Sequence, residues 1–152
     1  MTPPAIDHSS MKHLLGYAVA QARISTNQAF AEAIGQPLEL RPVEFSLLML
    51  LLSNDDVTQT DLAAALSLNA PNLTLVISRL QDRGLVTRER SASDRRAQWI
   101  RLTSPGRKLA NRAKSASLEM EEALRRRYSA AEWAMLLELL QRAGADRQDA
   151  SC

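Results

Sequence analysis

Residues 58–106 read TQTDLAAALSLNAPNLTLVISRLQDRGLVTRERSASDRRAQWIRLTSPG, and the order of elements in this stretch specifies the architecture. Thr58 can cap a helix and Asp61, three residues on, answers it in a capping box, ahead of Leu62, Ala63 and Leu66. Asn69 can cap a second helix with Pro71 in its first turn, and Leu73, Val76, Ile77 and Leu80 fall at i, i+3, i+4 and i+7 before Gly84 ends the run. LVTRER and QWIRLT then have strand character around a polar SASDRRA turn, and Ser104-Pro105 starts another helix. Two short helices, a hairpin and a helix start make a helix-turn-helix followed by a wing.

On the N-terminal side, Leu15, Val19, Ala22, Ala29, Phe30 and Ile34 recur at helical spacing from Ser10 onward, and Gly35 with Pro37 is expected to stop this long first helix. Pro42 opens a second, densely apolar helix through Val43, Phe45, Leu48, Met49 and Leu52. Beyond the wing, Leu109, Ala113, Ala116, Met120, Ala123 and Leu124 form the seam of a long fifth helix. Ser129 and Glu132 then box the start of a sixth, which carries Trp133, Leu136, Leu137 and Leu140 and is expected to end at Gly144.

The fold class expected is mainly α with a small β-hairpin wing: a winged helix-turn-helix lobe plus a helical dimerisation region. Residues 1–9, with two prolines, read as a flexible arm, 10–37 and 104–144 as the dimerisation region, 42–103 as the lobe, and 145–152 as a polar tail.

At 152 residues and 45% hydrophobic content the chain suits one folded unit, and 4% aromatics with few Gly and Pro favour helices. The net charge of +2 hides a segregation: between Asn69 and Lys108 nine basic residues face three acidic ones, a net +6, leaving −4 elsewhere. A basic patch of this kind replaces the counterions of a phosphate backbone. Cys152, the single cysteine, can form neither an internal disulfide nor a zinc site. The N-terminus lacks a signal-peptide pattern and no apolar run spans a bilayer, so a cytoplasmic protein with no membrane partner is expected.

With its apolar face turned inward, the reading helix presents Pro71, Asn72, Leu75 and Ser78, flanked by Thr74 and Arg79, to a major groove about 12 Å wide. Asn72 suits an adenine edge, Leu75 a thymine methyl, and Thr74 or Arg79 a phosphate. Asn69 at the helix start and Arg88 and Arg90 on the first wing strand extend the DNA-binding set. At the wing tip Asp94, Arg95 and Arg96 suit the narrow minor groove, where Asp94 would fix a guanidinium by charge-assisted bonds.

In this order and with these motifs the chain resembles the MarR (multiple antibiotic resistance regulator) family of winged-helix transcription factors. The D-x-R, L-T and glycine of the family's wing stand here as Asp94, Arg96, Leu102, Thr103 and Gly106, and the R-L-x-x-R-G-L-V run as Arg79, Leu80, Arg83, Gly84, Leu85 and Val86. The resemblance, which covers roughly residues 10–144, implies a homodimer on double-stranded DNA at a pseudo-palindromic operator, with Arg96 in the minor groove and Asp94 orienting it. The apolar stripes point to the same dimer: Leu15, Val19, Leu109, Met120, Leu124, Trp133, Leu136 and Leu140 are the interface candidates. In the reading helix Ala70, Pro71 and Leu75 depart from the polar or basic residues of many relatives.

The resemblance further implies a repressor released by a small aromatic or phenolic acid or related thioester. The lining expected from the first two helices is His13, Tyr17, Arg23, Asn27, Phe45 and Met49, with Arg23 suited to a carboxylate. No cofactor is expected. No metal site is expected from His8 and His13, and an enzyme is disfavoured because no phosphate-binding loop, nucleophile elbow or paired carboxylate occurs. The rival to DNA binding is a winged-helix module that engages another protein.

Overall fold

A computed structural model of the chain describes residues 6–90 and 98–145. Ser9–Met11 form a single 3₁₀ turn, and the first long helix, α1, begins only at Leu15 and runs to Phe30. The extended backbone of Leu14 separates the two, and no side chain caps α1.

The first helical path ends at Leu38, one residue beyond the Pro37 stop that the sequence pattern placed, though not as one α-helix. The helical path continues through a π-helical turn, Ala31–Gly35, into a last turn, Gln36–Leu38, and reverses at Glu39 in the left-handed region. Pro37, which has no N–H to give the helical ladder, lies in that last piece just before the path reverses. The π-turn carries Ile34 into the core, where it is fully buried.

The second helix, α2, spans Pro42–Ser53, with the Arg41 N–H donating to the Glu44 carboxylate at 2.9 Å. The capping box at Thr58 forms as expected: the Asp61 N–H donates to the Thr58 hydroxyl at 3.2 Å and the Thr58 N–H to the Asp61 carboxylate at 2.9 Å, starting α3, Gln59–Leu66. Ser67 turns the chain in the left-handed region, and α4, Ala70–Asp82, begins on the Asn69 cap, whose side chain accepts the Asn72 N–H at 2.9 Å.

The wing strands, β2 Val86–Arg90 and β3 Gln98–Leu102, pair antiparallel with Arg88 opposite Ile100. A short strand that the sequence pattern did not announce, β1 Val57–Thr58, pairs on the other edge of β3 to give the order β1-β3-β2. It is only two residues long, so no alternation was there to be seen. Helices α5, Ser104–Arg125, and α6, Ala130–Ala145, complete the chain, and α6 runs through Gly144.

The core centres on the lobe and takes in Ile34, Leu38 and Leu40 ahead of it and α5 behind it. Leu47, Leu48 and Leu51 of α2, Leu62 of α3, Leu73, Val76, Ile77 and Leu80 of α4, Ile100 of β3, and Ala110 and Ala113 of α5 are buried together. No residue of α1 is buried, nor any whose side chain is described in α6.

Gly106 sets the join between wing and α5. A Cβ there would stand 1.8 Å from the Leu85 carbonyl oxygen, so the helix can approach the start of β2 only on a glycine. Thr103 completes the join: its hydroxyl donates to the Gly84 carbonyl at 2.6 Å and accepts the Gly106 N–H at 3.0 Å. The L-T-x-x-G pattern therefore has a physical reason.

Candidate nucleic-acid interface

Helix α4 is pinned from both flanks, which decides what its outer face offers. On one flank Gln59 of α3 donates to the Thr74 hydroxyl at 2.7 Å, while that hydroxyl donates to the Ala70 carbonyl at 2.9 Å. On the other, Arg79 stands against Glu44 of α2 with Nε 3.3 Å from Oε1. At the C-terminal end Arg83 donates to the carbonyls of Glu39, at 2.7 Å, and Leu38, at 3.3 Å, and Gly84 takes the left-handed conformation that ends the helix.

Between these pins Pro71, Asn72 and Leu75 face outward, and Leu75 is 62% exposed. Ser78 is half-buried. The helix so presented is short, rigid and two-faced, as insertion into a groove requires.

The structure separates the residues expected to contact DNA into groups. Asn69 spends its side-chain oxygen on the cap, and Thr74 spends its hydroxyl within the lobe. Arg79 is turned partly inward on Glu44, a pairing that the sequence pattern could not show because the two residues lie far apart in the chain. Arg88 is exposed and donates from Nε to Gln81 at 3.2 Å, and Arg90 is exposed at the end of β2. Asp94, Arg95 and Arg96 lie outside the described residues.

The basic patch is thus only partly available. Arg101 bonds to Asp56 and also pairs with Glu89 at 3.2 Å across the strands, so it braces the sheet. Arg83 braces the end of α4. Arg88, Arg90, Arg107 and Lys108 stand exposed.

The six effector candidates are not gathered into one cavity. Phe45 packs edge-to-face on Phe30 with ring centroids 5.6 Å apart, and Met49 packs against the core. Tyr17 is half-buried and bonded to His8, whereas His13, Arg23 and Asn27 are exposed. The reason is geometric: at 100° per residue Tyr17 points about 120° away from Arg23 around α1.

Cavities lie elsewhere. One of about 470 Å³ beside the π-turn is lined by Ser25, Glu32, Ala33, Met120, Leu124 and Arg127 among others. A second, of about 450 Å³ and mainly apolar, opens between α1, α5 and α6 and is lined by Leu15, Val19, Leu124, Trp133, Leu136 and Leu140 among others.

The interface candidates divide as well. Leu15, Val19 and Leu140 are exposed, and Leu124, Trp133 and Leu136 are half-buried in this groove. Leu109 and Met120, which the apolar stripes also assigned to the interface, pack instead against the chain's own core, because α5 already turns Ala110 and Ala113 inward beside α2.

Among the described residues, no helix is long and apolar enough to cross a membrane.

Comparison with known proteins agrees with this geometry. The MarR family model matches residues 40–97. The chain is 28% identical over 135 residues to a putative transcriptional regulatory protein for the hcr operon of Thauera aromatica, covering 89% of this chain and 81% of that one. It is 32% identical to the transcriptional repressor CouR, solved on a 23-mer DNA duplex, with a TM-score of 0.85 over 92% of this chain and 99% of that one. PcaV of Streptomyces coelicolor, solved with its natural ligand, is 20% identical with a TM-score of 0.80 over 93% of this chain and 96% of that one, a likeness of fold alone. With repressor and regulator matched across nearly the whole length, and the winged lobe built as described, the chain belongs to the MarR family: it is a transcriptional regulator that binds DNA, not an enzyme.

Proposed function

We propose that this chain is a cytoplasmic homodimeric repressor that reads a pseudo-palindromic operator through α4 and the wing, and that a small aromatic acid or related thioester releases it. One observation carries the DNA reading: α4 buries Leu73, Val76, Ile77 and Leu80 while Asn72 and Leu75 stand exposed on its outer face. Two copies of that face, one per lobe, meet successive turns of one side of a duplex.

The dimer reading rests on apolar surface. Leu15 at 61% and Met135 at 61% exposed, with Val19, Ile24, Leu137 and Leu140, are too much uncovered hydrocarbon for a soluble monomer. A second copy laid along α1 and α6 removes it from water and sets the spacing of the two lobes.

The effector reading rests on the family resemblance and on the cavity beside the π-turn, whose Arg127 and Ser25 suit a carboxylate while Met120 and Leu124 suit a ring. The six residues expected from the sequence remain candidates by position only.

Selection of duplexes from a randomised pool, followed by titration at low and high salt, tests the DNA reading. A regulator recovers a palindrome and loses affinity steeply with salt and on Arg96→Ala, whereas a chain that recovers no duplex is a protein-binding module instead. A panel of aromatic acids and their thioesters that neither frees the duplex nor raises the melting temperature removes the effector reading.

A further inference from the structure

Among the described residues Glu44 is the one buried charged side chain, 4% exposed, and its carboxylate both caps α2 and meets Arg79. The cap uses one oxygen: Oε2 accepts the Arg41 N–H at 2.9 Å. The other, Oε1, faces Nε of Arg79 at 3.3 Å, and that N–H is buried with no aligned hydrogen bond. A guanidinium paired in this way with a buried carboxylate is restricted in direction.

Among the described residues the remainder of the Arg79 guanidinium is uncommitted. Its side chain is 39% exposed, and its two Nη groups make no hydrogen bond among the described residues, unlike those of Arg83 nearby, which go to the carbonyls of Leu38 and Glu39. Arg79 also shares a stripe of α4 with Asn72 and Leu75, four residues after the exposed leucine. The groups facing it are Glu44 and Arg41 of the α2 start, Glu39, and Asp82 and Arg83 of its own helix, which line one cleft.

We infer that Glu44 is a positioning residue for DNA binding: it holds Arg79 by Nε so that the paired Nη groups face a backbone phosphate at the rim of the groove. The guanidinium spans two anions, the buried carboxylate behind and the phosphate in front, as only its planar fork allows. Part of the side-chain freedom of Arg79 is lost at folding, so the contact forms at a lower entropic cost. This rests on the DNA-binding reading above.

The test titrates a duplex selected on the wild-type chain, across a salt series, with wild type, Glu44→Gln, Arg79→Gln, the double variant and Arg79→Lys, each melted in parallel. Expected are about a tenfold weaker affinity for E44Q and for R79Q, a salt slope reduced by about 0.9 per lobe, and a double variant no weaker than R79Q alone. Arg79→Lys keeps the charge pair, and so the fold, but lacks the fork and shows the same loss of slope.

A merely structural Glu44 lowers the melting temperature of E44Q and leaves affinity and slope at wild-type values, which overturns the proposal. So does R79K binding as wild type. A wild-type chain that recovers no duplex overturns the DNA reading with it, whereas recovery followed by unchanged variants overturns this inference alone.

Discussion

Asp61 shows how much a single side chain at a helix start contributes. The Thr58 hydroxyl, and then the Thr58 N–H, hold its carboxyl below the usual carboxylate range. The unfolded chain titrates at the ordinary value of about 3.9, so the folded form binds a proton less readily. Stability from this group is complete above about pH 4 and is lost as pH falls through the lower folded value. Asp61→Asn removes the titration; its melting temperature is expected to lie below wild type at neutral pH and to converge with it in acid. A gap that stays constant into acid contradicts the account. Gly106 makes the opposite kind of prediction, steric and independent of pH. Gly106→Ala sets a Cβ 1.8 Å from a backbone oxygen that no rotamer can move, so a loss of about 3 kcal/mol or more is expected in denaturant unfolding.

At the scale of the element, α4 is held as a rod by its caps and pins. The Asn69 side chain satisfies an otherwise orphaned N–H, and Gly84 supplies the left-handed exit. Asn69→Ala is expected to cost about 1 kcal/mol in chemical unfolding and to weaken operator binding further, because the first turn that frays is the one carrying Pro71 and Asn72. Arg83 ties the end of the same helix to the carbonyls that close the first helical path, so Arg83→Ala is expected to cost about 1 kcal/mol, read from the same curves. Both losses belong to the lobe and leave the oligomeric state unchanged.

At the scale of the molecule, one core joins the winged lobe to the π-turn and α5, while α1 and α6 have no fully buried residue among the described side chains. Helices that bury so little draw their stability from whatever else covers them. Leu140→Glu places a charge in the apolar groove between α1, α5 and α6. With the dimer proposed, desolvating that carboxylate costs about 3 kcal/mol or more, and sedimentation is expected to show dissociation shifted at least about a hundredfold. Operator affinity falls with it, since one lobe alone makes half the contacts. Unchanged sedimentation rejects α6 as part of the interface.

The helices and wing strands of the lobe, and both ends of α4, were legible in the amino-acid sequence because their signals are local. Capping boxes at Thr58 and Ser129, the Asn69 cap and the i, i+3, i+4, i+7 stripe of α4 act within a few residues, and each appears in the folded chain. The rest needed the folded molecule. The π-turn that carries the first helix past Gly35, the two-residue strand on β3, the inward turn of Arg79 and the core packing of Leu109 and Met120 all depend on partners distant in sequence. Periodicity states which face of a helix is apolar but not what will cover it, and a basic residue announces its charge but not which carboxylate it will meet. Burial and pairing are settled when separate elements dock, and it is there that Glu44 and Arg79 come together.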